Sequence, residues 1–281
     1  MQAGMPALPA AGKDACAPGG GGRPPEPTAH VAEVFSSIQG EGLLVGRRQV
    51  FCRLYGCDLE CVYCDTPASS AETGPCAVER TPGERDFEEL ANPFGPERLA
   101  ELVARFDAPP GLHHSVAITG GEPLLQADFV GAFAPLLRQR GLRTYLETNG
   151  VLPEALERTV DVFDIVSMDI KLPSAIGRDV LAASEEFLRI ARRHAGQAGA
   201  PELFVKVVVT ARTSDAELRR ACEIVASVDG SVPLVLQPVT PAGTVTDRPT
   251  PACILRAFDV ARTVLSDVRV IPQTHKLMQQ L

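Results

Sequence analysis

The sequence predicts an α/β fold, an incomplete barrel of parallel strands. Three observations carry this expectation. From Ser115 onward, short apolar or β-branched runs alternate with helical stretches, the order that builds a parallel sheet through right-handed crossovers. The convincing helices are fewer than the strands, so the ring stays short of eightfold. Residues with chemical potential follow the strand ends, where the sites of parallel sheets and barrels collect.

Taken in order, residues 1–28 are rich in Gly, Pro and Ala, including Gly19–Gly22, and are expected to be a disordered tail before one domain over 29–281. His30–Phe35 and Gln49–Leu54 read as two strands, paired as a hairpin. The charged, Pro- and Gly-bearing stretch 67–96 reads as an insertion loop with a short helical piece at Asp86–Ala91. Val116–Thr119 is a buried-strand pattern, followed by Gly120-Gly121 and a helix from Leu124 to Arg140. Strands are expected at Thr144–Glu147, Phe163–Met168, Leu203–Val209, Pro233–Gln237 and Val268–Ile271. Helices are expected at Asp179–Arg193, Asp215–Ala226 and Pro251–Val264.

A length of 281 residues is enough for a sizeable core, and 45% hydrophobic with 22% charged residues is an ordinary soluble composition. The net charge of −8 argues against nucleic-acid or acidic-membrane partners, which need a basic surface. No apolar run of about 18 residues offers a membrane span. The first residues lack a charged-then-apolar leader, so a cytoplasmic location is expected.

Of the 8 cysteines, Cys57, Cys61 and Cys64 crowd together, whereas Cys16, Cys52, Cys76, Cys222 and Cys253 are scattered. Local crowding in a cytosolic chain points to a metal or a catalytic centre rather than disulfides. Three thiolates spaced Cys-x3-Cys-x2-Cys can hold three irons of a 4Fe–4S cubane and leave the fourth iron for a co-substrate. The alternative is zinc, which usually takes four Cys or His ligands, and every histidine is distant in sequence.

The Cys57–Cys64 spacing, with the aromatic Tyr63 before its last cysteine, resembles the signature of radical S-adenosylmethionine enzymes. Thr119-Gly120-Gly121-Glu122-Pro123 resembles that superfamily's second motif. A finer resemblance spans most of 32–277: Glu33 to Gly42, Phe51 to Cys57, Cys64-Asp65-Thr66, Glu147 to Gly150, Ser167 to Lys171, Gln237-Pro238 and Pro272 to Lys276. These segments resemble the 7-carboxy-7-deazaguanine synthases.

The resemblance implies a radical SAM core acting as a carbon–nitrogen lyase. It implies conversion of 6-carboxy-5,6,7,8-tetrahydropterin to 7-carboxy-7-deazaguanine with loss of ammonia, on the way to queuosine and other deazapurines. It implies a 4Fe–4S cluster on Cys57, Cys61 and Cys64, and Mg2+ at Thr66. S-adenosylmethionine would lie against Tyr63, Gly121, Glu122, Ser167, Lys171, Gln237, Pro238, Val239 and Thr240. The pterin would meet Ile38, Gln39, Gly40, Glu41, Arg53 and Thr119. A flavodoxin- or ferredoxin-like electron donor and a homodimer are implied as well.

Plainer readings stand beside these. Arg53 could pair with Glu33 or Asp58, Gln39–Gly42 could be only a hairpin loop, and Thr66 could cap a turn. Asn149-Gly150 is a common turn pair, and His275 reads equally as a pocket or a surface residue. Two rival functions share the cysteines: a glycyl-radical-enzyme activase and a non-catalytic metal-binding module.

Overall fold

The computed structural model describes residues 25–194 and 202–281. Gly19–Gly22 and all but the last four residues of the expected tail lie outside the described residues. Strand β1 (Val31–Ile38) and β2 (Arg48–Leu54) form the expected antiparallel hairpin, with Phe35 opposite Phe51. Strands β3 (Cys76–Glu79) and β4 (Phe87–Leu90) follow, then helix α1 (Pro96–Ala104) and β5 (Ser115–Gly120). The alternation then runs α2 (Ala127–Gln139), β6 (Thr144–Thr148), α3 (Pro153–Glu157), β7 (Ile165–Asp169), α4 (Pro173–Ile176) and α5 (Leu181–His194). Then come β8 (Glu202–Val209), α6 (Asp215–Asp229), β9 (Leu234–Pro238), α7 (Pro251–Arg262), β10 (Val268–Val270) and α8 (Thr274–Met278). No described helix is long and apolar enough to cross a membrane.

The 10 strands form one sheet in the order β10-β9-β8-β7-β6-β5-β2-β1-β3-β4. From β2 through β10 every neighbouring pair is parallel; β1 runs against β2, and β4 against β3. Neither β10 nor β4 closes on the other, so the barrel is incomplete, as expected. Two expectations for 67–96 change. The segment contributes two strands to the sheet, and Asp86–Ala91 is not helical: Phe87–Leu90 pairs antiparallel with β3, Glu79 opposite Phe87 and Cys76 opposite Leu90. Phe87 and Leu90 with two glutamates between them mimic helical spacing, but pairing with β3 supplies the backbone partners and decides the outcome. Helix α1, for which no expectation was formed, begins on Pro96 at a position where proline costs no hydrogen bond, and it buries Leu99, Leu102 and Val103.

Because strand side chains alternate between faces, each parallel strand feeds two separate cores. The outward set, including Val116, Ile118, Leu146, Val166, Met168, Val205 and Val207, packs with the helices. Helix α5 shows why: Leu181, Ser184, Phe187, Leu188 and Ala191 make one buried stripe on it. The inward set is a small layer of Phe35, Phe51, Ala117, Tyr145, Ile165, Phe204 and Val235. Phe35 stacks on Phe51 at 5.1 Å, and Tyr145 on Phe204 at 6.4 Å. This layer fills the lower part of the barrel, and the next inward residues along each strand open into a cavity above it.

Candidate active site

The cavity, about 500 Å³, is lined from the strand ends of β2 and β5–β9, the loops after β1 and β2, and the C-terminal segment. Cys57, Cys61 and Cys64 lie half-buried on its wall as free thiols. Their loop is clamped from three sides. Glu122 N donates to Gly56 O at 2.7 Å, Val62 N to Ala175 O at 2.9 Å, and Thr244 N to Val62 O at 2.8 Å. Asn149 Nδ2 adds a bond to Asp58 Oδ1 at 2.7 Å. A Cβ on Gly121 would lie 2.1 Å from Gly56 O and 2.7 Å from Cys57 Cβ, so only glycine lets the Gly120-Gly121 turn press against the cysteine loop.

Burial raises the Cys57 and Cys61 thiols above their ordinary range. Iron would hold them as thiolates, which couples loading to proton release. Among the described residues, no three or more Cys, His, Asp or Glu side chains are gathered for a single ion. Three thiols spaced along a cavity wall suit a larger cage held from one side, so the donor set fits a cubane.

Of the residues expected at the site, Ile38, Gln39, Gly40, Glu41, Arg53, Tyr63, Thr66, Thr119, Gly121, Lys171, Gln237, Val239 and Thr240 line the cavity with the cysteines. Glu122, Ser167 and Pro238 do not. The Glu122 side chain is fully buried behind the wall, capping Leu124 N at 3.0 Å and accepting from Thr148 Oγ1 at 2.9 Å and Asn149 N at 2.7 Å. Its carboxylate fixes the end of β6 to the Gly-Gly turn. Burial pushes it up to about 7, although the two N–H donors and Thr148 pull the other way. Ser167 faces inward on β7 but sits one pleat below Asp169, which does reach the cavity, and it bonds the Tyr145 hydroxyl. Pro238 follows Gln237 and so faces away from the cavity, completing β9 in register with Val209.

Two plainer readings are settled. Arg53 does pair with Glu33, Nε to Oε1 at 2.6 Å, and both residues line the cavity. Thr66 makes no side-chain cap to the turn that follows it. His275, left open from the sequence, lines the cavity, its ring packed against Gly40. Gln39 is buried and donates to Gln49 Oε1 at 2.8 Å and Glu147 Oε1 at 2.7 Å, so its loop is more than a hairpin turn.

Several cavity residues carry chemistry that the sequence reading left without a role. Glu147 accepts from Gln39 and, at 3.0 Å, from Thr119 Oγ1. Burial and Glu41 push its carboxyl up against the pull of Lys206. Asp169 pairs with Lys171 Nζ at 2.6 Å and Lys206 Nζ at 3.3 Å, and Lys206 also bonds Glu41. For Glu41, burial is outweighed by Lys206 and Gln273, which bring it down to about 2. Gln273 Nε2 donates to Glu41 Oε1 at 2.7 Å and Asp65 Oδ2 at 3.2 Å. Lys206 had a signal in the sequence, being a lone charge inside the apolar run 203–209. Gln237 leaves its Oε1 buried without a hydrogen-bond partner, an acceptor that a bound donor would satisfy.

Residues 53–218 match the family model of the Radical SAM superfamily. A 7-carboxy-7-deazaguanine synthase from Geobacter sulfurreducens is 47% identical over 259 residues, 91% of this chain and 99% of that protein. The chain belongs to the 7-carboxy-7-deazaguanine synthases of the radical SAM superfamily. A 7-carboxy-7-deazaguanine synthase from Methanopyrus kandleri is 37% identical, over 92% of this chain and 97% of its own length. The crystal structure of QueE from Escherichia coli shares the fold, with a TM-score of 0.53 at 18% identity, covering 88% of this chain and 95% of that one. Radical SAM enzymes work with a 4Fe–4S cluster and S-adenosylmethionine, and in this synthase the motif cysteines and the Gly120-Gly121 turn share one cavity wall.

Proposed function

We propose that this synthase converts 6-carboxy-5,6,7,8-tetrahydropterin into 7-carboxy-7-deazaguanine with loss of ammonia. One observation on the cavity carries the substrate reading. Among its described acidic side chains, Glu33, Glu41, Asp65 and Asp169 are each paired with Arg53, Lys206, Lys276 or Lys171. Glu147 alone makes no ion pair, and each of its oxygens accepts a single hydrogen bond. A carboxylate with spare lone pairs matches the N–H-rich edge of a pterin, which offers parallel donors. Arg53 spends its Nε on Glu33, so the rest of its guanidinium is available to the substrate carboxylate.

When bound, the cluster supplies one electron to S-adenosylmethionine, and the hydrogen-atom chemistry that follows belongs to the cofactor. The protein's part is to bind, orient and keep water out. Cys57, Cys61 and Cys64 would hold three irons. The backbone at Gly121, with Tyr63, Lys171, Gln237, Val239 and Thr240, would hold S-adenosylmethionine. Gln39 to Glu41, Thr119 and Glu147 would seat the pterin beside it. Thr66 keeps its hydroxyl uncommitted at the cavity, which suits one protein contact to a magnesium ion that otherwise keeps waters and substrate oxygens. The reading also includes a cytoplasmic location, a homodimer, and a flavodoxin- or ferredoxin-like donor acting at the cysteine loop.

The test is anaerobic turnover of reconstituted protein with the pterin, S-adenosylmethionine, Mg2+ and dithionite, read by mass spectrometry. The expected product is 7-carboxy-7-deazaguanine, abolished by Cys61→Ala. Formation of 5′-deoxyadenosine alone would keep the radical chemistry and remove this substrate.

A further inference from the structure

The charged residues of the cavity are joined into a belt. It starts on the cysteine loop at Tyr63, whose ring lies 5.6 Å from Lys171 Nζ. Lys171 holds Asp169 at 2.6 Å, and Asp169 holds Lys206 at 3.3 Å. Lys206 bonds Glu41, Glu41 accepts from Gln273 at 2.7 Å, and Gln273 reaches Asp65 at 3.2 Å, back on the cysteine loop. The belt thus ties the cysteine loop to the ends of β7, the middle of β8, the loop after β1 and the C-terminal segment. Lys206 is the member that holds both Asp169 and Glu41. It is 8% exposed, it lies opposite Asp169 in the β7–β8 register, and its other partner, Glu41, belongs to the loop that carries Gln39.

We infer that Lys206 is a positioning residue that couples the two ligand sites, so that S-adenosylmethionine on the Lys171 side and the pterin on the Glu41 side each tighten the other's binding. This rests on the functional reading above. The physical basis is the low dielectric of the site. Glu41 and Asp169 are like charges facing one ammonium, and a ligand that fixes either carboxylate fixes the lysine and through it the other. Coupling of this kind is reciprocal and is measured as a change in affinity.

Anaerobic titration calorimetry decides it, with the full chain carrying its cluster and no reductant present, so that neither ligand is consumed. The Kd of S-adenosylmethionine is measured alone and with saturating 6-carboxy-5,6,7,8-tetrahydropterin. The wild type is expected to tighten about fivefold or more, the lower end of common coupling strengths. Lys206→Arg keeps the tightening, whereas Lys206→Met reduces it below about twofold while each ligand still binds alone. Removing one partner of a buried pair can prevent folding, so the double variant Lys206→Met with Glu41→Gln, which removes both charges, is measured as well. It binds the pterin more weakly, since Glu41 seats it, and at pterin concentrations that saturate it the same loss of tightening is expected. A wild type that shows no tightening overturns the inference, as does full tightening kept in a folded Lys206→Met or double variant. Turnover of the wild type with reductant is followed in parallel. Absence of product overturns the functional reading, whereas product formation with coupling unmoved by these variants overturns only the role of Lys206.

Discussion

Glu122 shows how one buried carboxylate can set local order and pH response together. Its oxygens accept Leu124 N, Asn149 N and the Thr148 hydroxyl, so the turn after β5 and the end of β6 share one anchor. Burial is the larger effect and lifts the group from 4.5 to about 7. The folded state therefore takes up this proton at a higher pH than the unfolded chain does. Between pH 4.5 and about 7 the folded state holds more protons, so the stability contributed by this group falls as pH rises through that window. Glu122→Gln cannot titrate, so wild-type stability measured relative to this variant should decline across the window and level off above it. Urea unfolding of cluster-free protein at several pH values checks this, and parallel pH profiles for the two proteins would refute it. At this scale the sequence was informative wherever the chemistry is local. Three cysteines within eight residues, or Gly-Gly-Glu-Pro, carry their meaning in their spacing. Glu147, Asp65, Asp169, Lys206 and Gln273 acquire theirs from contacts between distant segments, which spacing does not encode.

Among the elements, the cysteine loop depends on helices that never reach the cavity. Helix α6 begins with a capping box: the Ser214 hydroxyl accepts from Glu217 N at 3.2 Å, and the Glu217 carboxylate accepts from Ser214 N at 3.4 Å. Glu217 also accepts Ser174 N at 2.7 Å, which fastens α4, and the next residue of α4, Ala175, receives Val62 N of the cysteine loop. Ser214→Ala should cost about 1 kcal/mol, the usual value of an N-cap, and leave the cluster in place. Glu217→Ala keeps the Ser214 cap on its backbone N–H but removes the carboxylate's half of the capping box and the tether to α4 together. It should cost at least as much and also speed loss of iron to a chelator. Thermal unfolding and iron release, measured on both variants, separate the two effects, and equal rates of iron loss would defeat the proposed linkage. Elements with a clear period were legible: β5, β6 and β8 and helices α2, α5, α6 and α7 fall close to their expected bounds. The hairpin β3–β4 was not: β3 is only four residues long and takes its place by pairing with β1, while the edge strand β4 carries two central glutamates that leave no apolar alternation to display.

Across the whole molecule, the alternation of each strand separates stability from function. The outward layer holds sheet to helices, and the inward layer is the floor on which the site stands. Leu146 and Phe204 are comparable in depth, at 0% and 2% exposure, but lie in different layers. Phe204 also supports the loop after β1. A Cβ on Gly42 would lie 2.5 Å from its ring, so the backbone of that loop packs directly against the aromatic side chain. Truncating either side chain leaves a hole in a packed interior, about 2–5 kcal/mol for Leu146→Ala and about 3–5 kcal/mol for Phe204→Ala. Only the second hole lies beneath the cavity. Phe204→Ala should therefore raise the KM for the pterin several-fold, because Gln39 and Glu41 lose the surface that seats their loop. Leu146→Ala should leave KM near the wild-type value despite its own loss of stability. Steady-state kinetics at a temperature where both variants remain folded makes the comparison. If KM rose equally in the two, the inner layer would be no more than a second core; if it rose only with Phe204, the floor of the barrel is part of the substrate site.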